Sequence, residues 1–218
     1  MFLSSYLGFA EGIKFNSQAC QDQFVYSILY NLLGQKNSGY YLEIGAGEPK
    51  IINNTYTLEK SLNWKGISID ISKELKFMWD GERSNPFLLA DATTVNYSKI
   101  LENFPKTIDY LSLDIDGYYD VVLNEVIKSN KEFKIITIEH DAYRYGDVYR
   151  NKERDVLLRL GYHLLCADVC HNSYSFEDWW INPNFFEPSI MEKISLLDLN
   201  NQDCNLIIQK LNDLILSL

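Results

Sequence analysis

The sequence predicts an α/β fold, a seven-stranded and mostly parallel sheet with helices on both faces and an antiparallel hairpin at one edge. Three observations lead there. Five times along the chain a short apolar run is followed by a segment of helical periodicity, the pattern of parallel strands joined by crossover helices. The last two apolar runs have no helical segment between them, which suits a hairpin. Only five prolines occur in 218 residues, with no Gly/Ser linker and no internal repeat, so no domain boundary is expected. A chain of this length can bury one sizeable core, and 46% hydrophobic with 23% charged residues is a globular composition. One domain over 1–218 is therefore expected, with its core at 17–183 and a helical tail at 189–218.

The elements follow in order. Ser17 is placed to cap a helix whose apolar positions are Phe24, Val25, Ile28, Leu29, Leu32 and Leu33, ended by Gly34. Tyr40 to Ile44 reads as a buried strand closed by Gly45, and Thr55 to Leu62 as a helix. Gly66 to Ile71 is the second strand, and Ser72 is a cap for a helix through Met78. Pro86 to Ala90 is the third strand, followed by a weak helix near Ser98 to Phe104. Tyr110 to Ile115 and Phe133 to Glu139 are the fourth and fifth strands, each with a helix after it, at Tyr119 to Ile127 and Lys152 to Leu160. Tyr162 to Ala167 and Phe176 to Ile181 form the hairpin across a polar loop, Asp168 to Ser175. From Ser189 the tail is amphipathic and Leu/Ile-rich, suited to cover one sheet face or to pair with a second chain as a homodimer.

Composition narrows the partners. Thirty acidic against twenty basic residues give a net charge of −10, the wrong sign for gripping a phosphate backbone, so no nucleic acid is expected. No apolar run reaches the roughly 18 residues of a membrane span. The start, MFLSSYLGFAEG, has neither a basic region nor a long apolar core, so no signal peptide is read there. Cys20, Cys166, Cys170 and Cys204 form no CxxC pair, and Cys166, Cys170 and His171 fall short of a zinc set. Reduced thiols and a cytoplasmic location are expected.

In open α/β sheets ligands bind beyond the carboxyl ends of the strands. The first strand runs into Glu43-Ile44-Gly45-Ala46-Gly47, where glycines let the backbone approach a ligand. The second ends in Asp70, 23 positions after Gly47, about where a ribose hydroxyl pair is held. Ile71 and Ala92 flank the two acids that would bracket a nucleoside, Asp70 and Asp91. Asp91 is placed to accept from an adenine amino group or, more blandly, to cap a helix. A dinucleotide fingerprint needs glycine at position 50, where Lys50 stands, and Pro49 interferes with a helix N-terminus for a pyrophosphate. A nicotinamide-dependent oxidoreductase is thus the weaker alternative, and S-adenosylmethionine (SAM), a nucleoside without phosphates, fits better. A non-catalytic module of the same fold is a third alternative, opposed by the intact acidic and imidazole groups at the strand tips.

Several short motifs then fall in a recurring order. They are Ser17-Gln18 with Gln21-Asp22, Leu42 to Gly47, Asn54-Thr55 with Leu58-Glu59, and Asn63-Trp64-Lys65-Gly66. Leu113-Asp114-Ile115-Asp116-Gly117-Tyr118 and Ile138-Glu139-His140 follow. This set resembles the FkbM-type family of SAM-dependent O-methyltransferases over roughly Ser17 to Pro183. The resemblance implies a Rossmann-like class I methyltransferase sheet, with SAM over Glu43, Gly45, Ala46, Gly47, Asp70 and Asp91. It implies methylation of a hydroxyl on a sugar or natural product, and by analogy makes Ser17, Asn54 and Thr55 helpers at the methionine end. Glu48-Pro49 stands where a further small residue is common in that family.

Carboxylates crowd the fourth and fifth strand tips: Asp114 and Asp116, then Glu139 and Asp141 with His140 between them. Adjacent strands lie about 4.8 Å apart, so these groups would repel one another unless a cation offset the charge. Oxygen ligands with one imidazole suit Mg²⁺ or Mn²⁺, and related sugar O-methyltransferases use such an ion. A metal would lower the pKa of an acceptor hydroxyl and orient it. The expected ligands are Asp114, Glu139 and His140, with Asp116 or Asp141 as base or alternate ligand. Without metal, His140 is the base and Asp114 or Glu139 orients it. Asp114 also borders the cofactor. Tyr143, Arg144, Tyr145, Trp179, Trp180 and the loop residue His171 are candidates to meet a saccharide acceptor.

Overall fold

The computed structural model describes residues 12–218. The reading of residues 1–12 as lacking a signal peptide lies almost wholly outside them.

The fold is built outward from five parallel strands. These are β1 (Tyr40–Ile44), β2 (Lys65–Asp70), β3 (Phe87–Leu89), β4 (Thr107–Leu113) and β5 (Glu132–Glu139). Strands β6 (His163–His171) and β7 (Tyr174–Ile181) complete a seven-stranded sheet among the described residues, in the order β3-β2-β1-β4-β5-β7-β6. Strand β7 runs antiparallel to both β5 and β6, as the missing helical segment predicts. The hairpin is tighter than expected: the strands continue through most of Asp168 to Ser175. The turn is only Asn172 and Ser173, both with positive φ (50° and 69°), the backbone of a two-residue turn that follows the sheet twist.

Helices cover both faces. On one face lie α1 (Gln21–Tyr26), which continues into a π-helical segment at Ser27–Leu32, and α2 (Tyr56–Leu62). Helix α3 (Lys73–Glu82) lies by the β3 edge, where Trp79 stacks on Phe87 at 4.9 Å. The second face carries α4 (Tyr97–Ile100), α5 (Tyr119–Ile127) and, after the single turn α6 (Ala142–Tyr145), α7 (Val148–Arg159). The tail forms α8 (Pro188–Ser195) and α9 (Cys204–Ser217), which return to the first face. There Ile194, Ile207, Ile208 and Leu211 are buried against Phe24, Ile28 and Trp179. Covering one sheet face is one of the two roles expected for the tail.

Strand alternation divides the core. Tyr41 and Tyr110 face the α1–α9 side, while Leu42, Leu111 and Ile136 face the α5–α7 side. Trp179 and Trp180 fall on opposite faces and are both fully buried, Trp179 stacked on Phe24 at 4.5 Å. Neither ring can meet an acceptor, which corrects their reading as contact residues. Ser17 does not stand directly before α1, where Cys20 sits in a left-handed conformation (φ 64°), but its hydroxyl accepts from the first-turn amide of Asp22 at 3.4 Å and donates to Asp22 Oδ1 at 2.6 Å.

Candidate active site

The sheet order reverses between β1 and β4, and the crevice opened by such a reversal is where α/β folds hold ligands. A cavity of about 500 Å³ lies there, at the carboxyl ends of β1 to β5. Gly45, Gly47, Asp70 and Ile71 line one side, with Asp91 and Ala92 next to them. Asp114, Asp116, Glu139 and Asp141 line the other. One cavity thus contains ten of the residues that sequence reasoning chose for the site.

The two loop glycines play different parts. Gly45 has φ 79°, and a Cβ there would sit 1.6 Å from the Asp114 carbonyl oxygen. The close approach it permits is between its own backbone and the tip of β4, not a ligand. Gly47 also has positive φ (57°), but a Cβ would meet nothing within 4 Å, so its bare face is left to the cavity. The Gly47 amide donates to Asp70 Oδ2 at 2.9 Å, and Asp70 Oδ1 accepts from the Ser72 amide at 2.8 Å. Asp70 therefore pins the loop after β1 to the turn after β2. Asp91 does cap a 3₁₀ turn, accepting from the Thr93 amide at 2.9 Å, while still bordering the cavity.

Five residues expected beside a cofactor lie under the cavity instead. Glu43 is buried on the α1–α2 side, where it accepts from Thr55 Oγ1 (2.9 Å) and Ser68 Oγ (2.6 Å). Burial raises its pKa, against the pull of the nearby Arg83 guanidinium. Asn54 donates to Ser112 Oγ at 3.0 Å, the Ala46 carbonyl accepts from Asn53 Nδ2 at 2.9 Å, and Ser17 is held by Asp22. Alternation explains the placement of Glu43: its side chain leaves the strand toward the packed face, one residue before the chain turns into the cavity.

The acidic cluster is the chemically active feature. Asp114 and Glu139 share a hydrogen bond, and Tyr119 Oη donates to Glu139 Oε2 (3.2 Å) and Asp141 Oδ2 (3.1 Å). Burial, then the charge of Asp114 and the bond to it, push the Glu139 carboxyl up to about 11. Burial also raises Asp114. Two buried carboxyls in contact cannot both ionise cheaply, so near neutral pH the pair retains a proton, with Glu139 as donor and Asp114 as acceptor. The corner that aims Asp141 here is a bulge: the amides of His140 and Asp141 both donate to the Phe176 carbonyl, at 2.7 and 3.1 Å. Asp141 takes φ 45°, and its Oδ1 is buried without a partner.

His140 is the main correction. Its ring is fully buried and turned toward β6, β7 and α7, away from Asp114 and Glu139, because consecutive residues of an extended chain leave on opposite faces. Nδ1 accepts from the Ala142 amide at 3.1 Å, which places the ring proton on Nε2, 3.6 Å from Asp168 Oδ1 and from Asp178 Oδ1. His140 therefore cannot join Asp114 and Glu139 around one ion, nor reach the cavity as a base. His140, Asp168 and Asp178 are spaced as a metal trio, but guanidinium groups already balance the acids. Arg154 pairs Asp178 at 2.7 Å and Asp168 at 2.9 Å, and Arg150 pairs Asp168 at 2.5 Å. Against burial, these arginines hold Asp168 below the usual carboxylate range, and Arg154 with His140 does the same for Asp178.

The outer wall is aromatic. Asp116 is exposed and bridges Arg144 at 2.9 Å, so it belongs to the rim and not to the Asp114 pair. Tyr143 is 57% exposed and lies 5.2 Å, ring to ring, from Tyr174 of the hairpin, itself 59% exposed. Tyr145 turns away to pack on Tyr149, and His171 sits beside Cys204, with Nδ1 3.8 Å from Sγ, so neither reaches the acceptor side. Sequence reasoning missed Tyr174, which the hairpin turn brings beside Tyr143. It also missed Glu177, whose register partner is Glu139 and which accepts from Gln21 Nε2 at 3.0 Å. Burial pushes Glu177 up to about 8. The signal was available: of the adjacent acids Glu177 and Asp178, the one two residues before Trp179 shares that buried face.

Comparison with known proteins gives the fold a name. No family model and no curated protein matches the chain. A TehB-like SAM-dependent methyltransferase from Corynebacterium glutamicum superposes with TM-score 0.50 at 10% identity, over 79% of this chain and 91% of that one. A protein assigned as an rRNA methylase from Clostridium thermocellum gives 0.50 at 12%, over 77% and 96%. A DNMT2 mutant from Spodoptera frugiperda gives 0.52 at 14%, over 76% and 55%. The chain has the class I SAM-dependent methyltransferase fold. Among the described residues no helix is long and apolar enough to cross a membrane.

Proposed function

We propose that the protein is a SAM-dependent O-methyltransferase of the FkbM type that methylates a hydroxyl of a saccharide-like acceptor. The observation that carries this reading is that one cavity is lined both by the loop after β1 with Asp70 and Asp91 and by a buried carboxyl pair. Gly47 leaves room for a ligand, Asp70 and Asp91 are hydrogen-bond acceptors at its edge, and Ile71 and Ala92 supply apolar contact. These residues fit the adenosyl part of SAM, which when bound supplies an activated methyl group.

What the chain itself must do is make an alcohol oxygen nucleophilic. The Asp114 carboxylate accepts the hydroxyl proton as general base. Glu139 holds Asp114 in place by donating to it, and Tyr119 fixes Glu139 and Asp141 together. The acceptor rests against Tyr143 and Tyr174, whose exposed ring faces suit the C–H faces of a sugar. The acidic wall disfavours phosphate-bearing acceptors, which is why a saccharide is preferred here over RNA.

A metal-assisted version is favoured by one observation, the buried and unpartnered Asp141 Oδ1 beside the Asp114–Glu139 pair. Asp114, Glu139 and Asp141 offer only oxygen donors, the type Mg²⁺ or Mn²⁺ takes, but their ligand atoms do not converge as those of His140, Asp168 and Asp178 do, so the carboxyls would have to draw together to hold an ion. An ion there would offset their charge and acidify a bound hydroxyl.

Calorimetry with SAM and with NADH tests the cofactor: SAM alone should bind, and heat with NADH alone would move the chain to the oxidoreductases. Turnover of SAM with a saccharide panel, with and without EDTA, tests the rest. A rate indifferent to EDTA and to added Mg²⁺ or Mn²⁺ removes the metal. Full turnover by Asp114→Asn removes the base.

A further inference from the structure

Away from the cavity, the two ends of the described chain meet through sulfur. Cys20 precedes α1 and Cys204 is the first residue of α9, and both thiols border one side chain, that of Asn205. Asn205 spans both: its Oδ1 is 3.5 Å from Cys20 Sγ and its Nδ2 is 3.7 Å from Cys204 Sγ. His171 Nδ1 lies 3.8 Å from Cys204 Sγ on the other side. Cys204 also opens a 14-residue helix, whose N-terminal amides favour negative charge. We propose that Cys20 and Cys204 are a peroxide-reactive thiol pair that closes to a disulfide, with Cys204 as the attacking sulfur.

The chemistry balances. The Cys204 thiolate attacks one oxygen of hydrogen peroxide, the O–O bond breaks, and Cys204 becomes a sulfenic acid as hydroxide leaves. The Cys20 sulfur then attacks Cys204 Sγ, an S–S bond forms, and the sulfenic oxygen leaves as water with the Cys20 proton. Per disulfide, one peroxide is reduced to two waters and two thiols are oxidised.

Three features assign the order of events. The Cys20 thiol, then the imidazole of His171, hold the Cys204 thiol down to about 6, against its burial and the nearby Asp203 charge. Cys204, with burial, in turn keeps Cys20 protonated. Both residues are buried, Cys204 almost completely, which keeps a bulky oxidant such as glutathione disulfide from either sulfur. Cys166 lies deep in the core and Cys170 Sγ faces the Asp168 carbonyl, so neither competes.

The test is peptide mapping of the reduced full-length chain after a stoichiometric pulse of hydrogen peroxide, under non-reducing conditions. A cross-linked Cys20–Cys204 peptide is expected, reversed by dithiothreitol, with no glutathione adduct after glutathione disulfide. Cys20→Ser should trap a sulfenic acid on Cys204 that dimedone labels. His171→Ala should slow thiol loss by on the order of tenfold near neutral pH, since thiolate is the reactive form. The disulfide should also raise Tm, because it ties together segments far apart in sequence. Four countable thiols after the pulse overturn the proposal, and so does oxidation confined to Cys170. If Cys20→Ser unfolds, as a lowered Tm would reveal, the wild-type map and the His171→Ala rate decide the matter.

Discussion

At the scale of single residues, the Asp114–Glu139 pair ties activity to instability. The folded Glu139 carboxyl titrates far above its ordinary value of 4.5, so between that value and about 11 the native state binds a proton that the unfolded chain gives up. Its contribution is fully present below pH 4.5 and is lost progressively as pH rises through that window. Glu139→Gln has no proton to lose. The variant should therefore lose less Tm than the wild type between pH 6 and 9, and melt higher at the upper end, by about 2–4 °C for each kcal/mol recovered. Its kcat should fall by less than that of Asp114→Asn, because the glutamine amide can still donate to the Asp114 base. Parallel Tm–pH profiles for the two proteins would refute the shared proton. His140 lies one residue away but answers a different question. Its protonation pattern is fixed by the Ala142 amide, so His140→Asn should disturb the corner that carries Glu139 and Asp141 without acting as loss of a base. That His140 leaves on the face opposite Glu139 is what strand alternation gives if the strand runs through 140. The bulge that then brings Asp141 back toward the acids was not legible, because it is set by a carbonyl on β7.

At the scale of elements, the loop after β1 makes the sharpest prediction. Both of its glycines have left-handed backbones, and an alanine in that conformation costs about 1–2 kcal/mol. At Gly47 that is the whole structural cost, so Gly47→Ala should lower Tm by only a few degrees while its methyl enters the cavity and weakens SAM binding. At Gly45 the methyl would overlap the Asp114 carbonyl, so the tip of β4 must move. Gly45→Ala should cost about 3 kcal/mol or more, the range of forced overpacking with backbone strain. Thermal melts with SAM titrations separate the two: equal Tm losses would overturn this division of roles. The strands and crossover helices were legible because their apolar runs are short and their periodicity switches cleanly. The hairpin edges, the early start of α7 at Val148 and the π-helical stretch were not. Tertiary contacts set these boundaries, as where Arg150 and Arg154 reach from α7 to the acids of β6 and β7. The acceptor wall shows the same limit. Tyr143 was legible as a loop aromatic after a strand, whereas Tyr174 gains its meaning only from the hairpin turn that sets the rings 5.2 Å apart. Replacing both by alanine should raise KM for a saccharide on the order of tenfold and leave SAM affinity unchanged, given about 0.5–1.5 kcal/mol per aromatic contact.

At the scale of the whole molecule, charge selects the acceptor. The net charge of −10 is not spread evenly in effect: Asp70, Asp91, Asp114, Asp116, Glu139 and Asp141 all border one cavity, and Arg144 is the cation on its rim. A low-dielectric crevice lined with one sign of charge concentrates its field at the mouth. An approaching anion meets that field before it meets any tyrosine. A saccharide carrying a carboxylate should therefore show kcat/KM lower than its neutral counterpart by on the order of tenfold in dilute buffer. The deficit should shrink as salt shortens the Debye length from about 30 Å at 0.01 M toward about 8 Å at 0.15 M. Because the effect acts on encounter, the neutral acceptor's rate should hardly change over the same range. Reversing Asp116 to lysine would distinguish the field from local contact, since it lies exposed at the rim and not under the reacting oxygen. If that variant narrows the gap between the two acceptors, the field is the selector. A charged saccharide preferred at every ionic strength would instead mean that an ion bound among Asp114, Glu139 and Asp141 bridges the carboxylate.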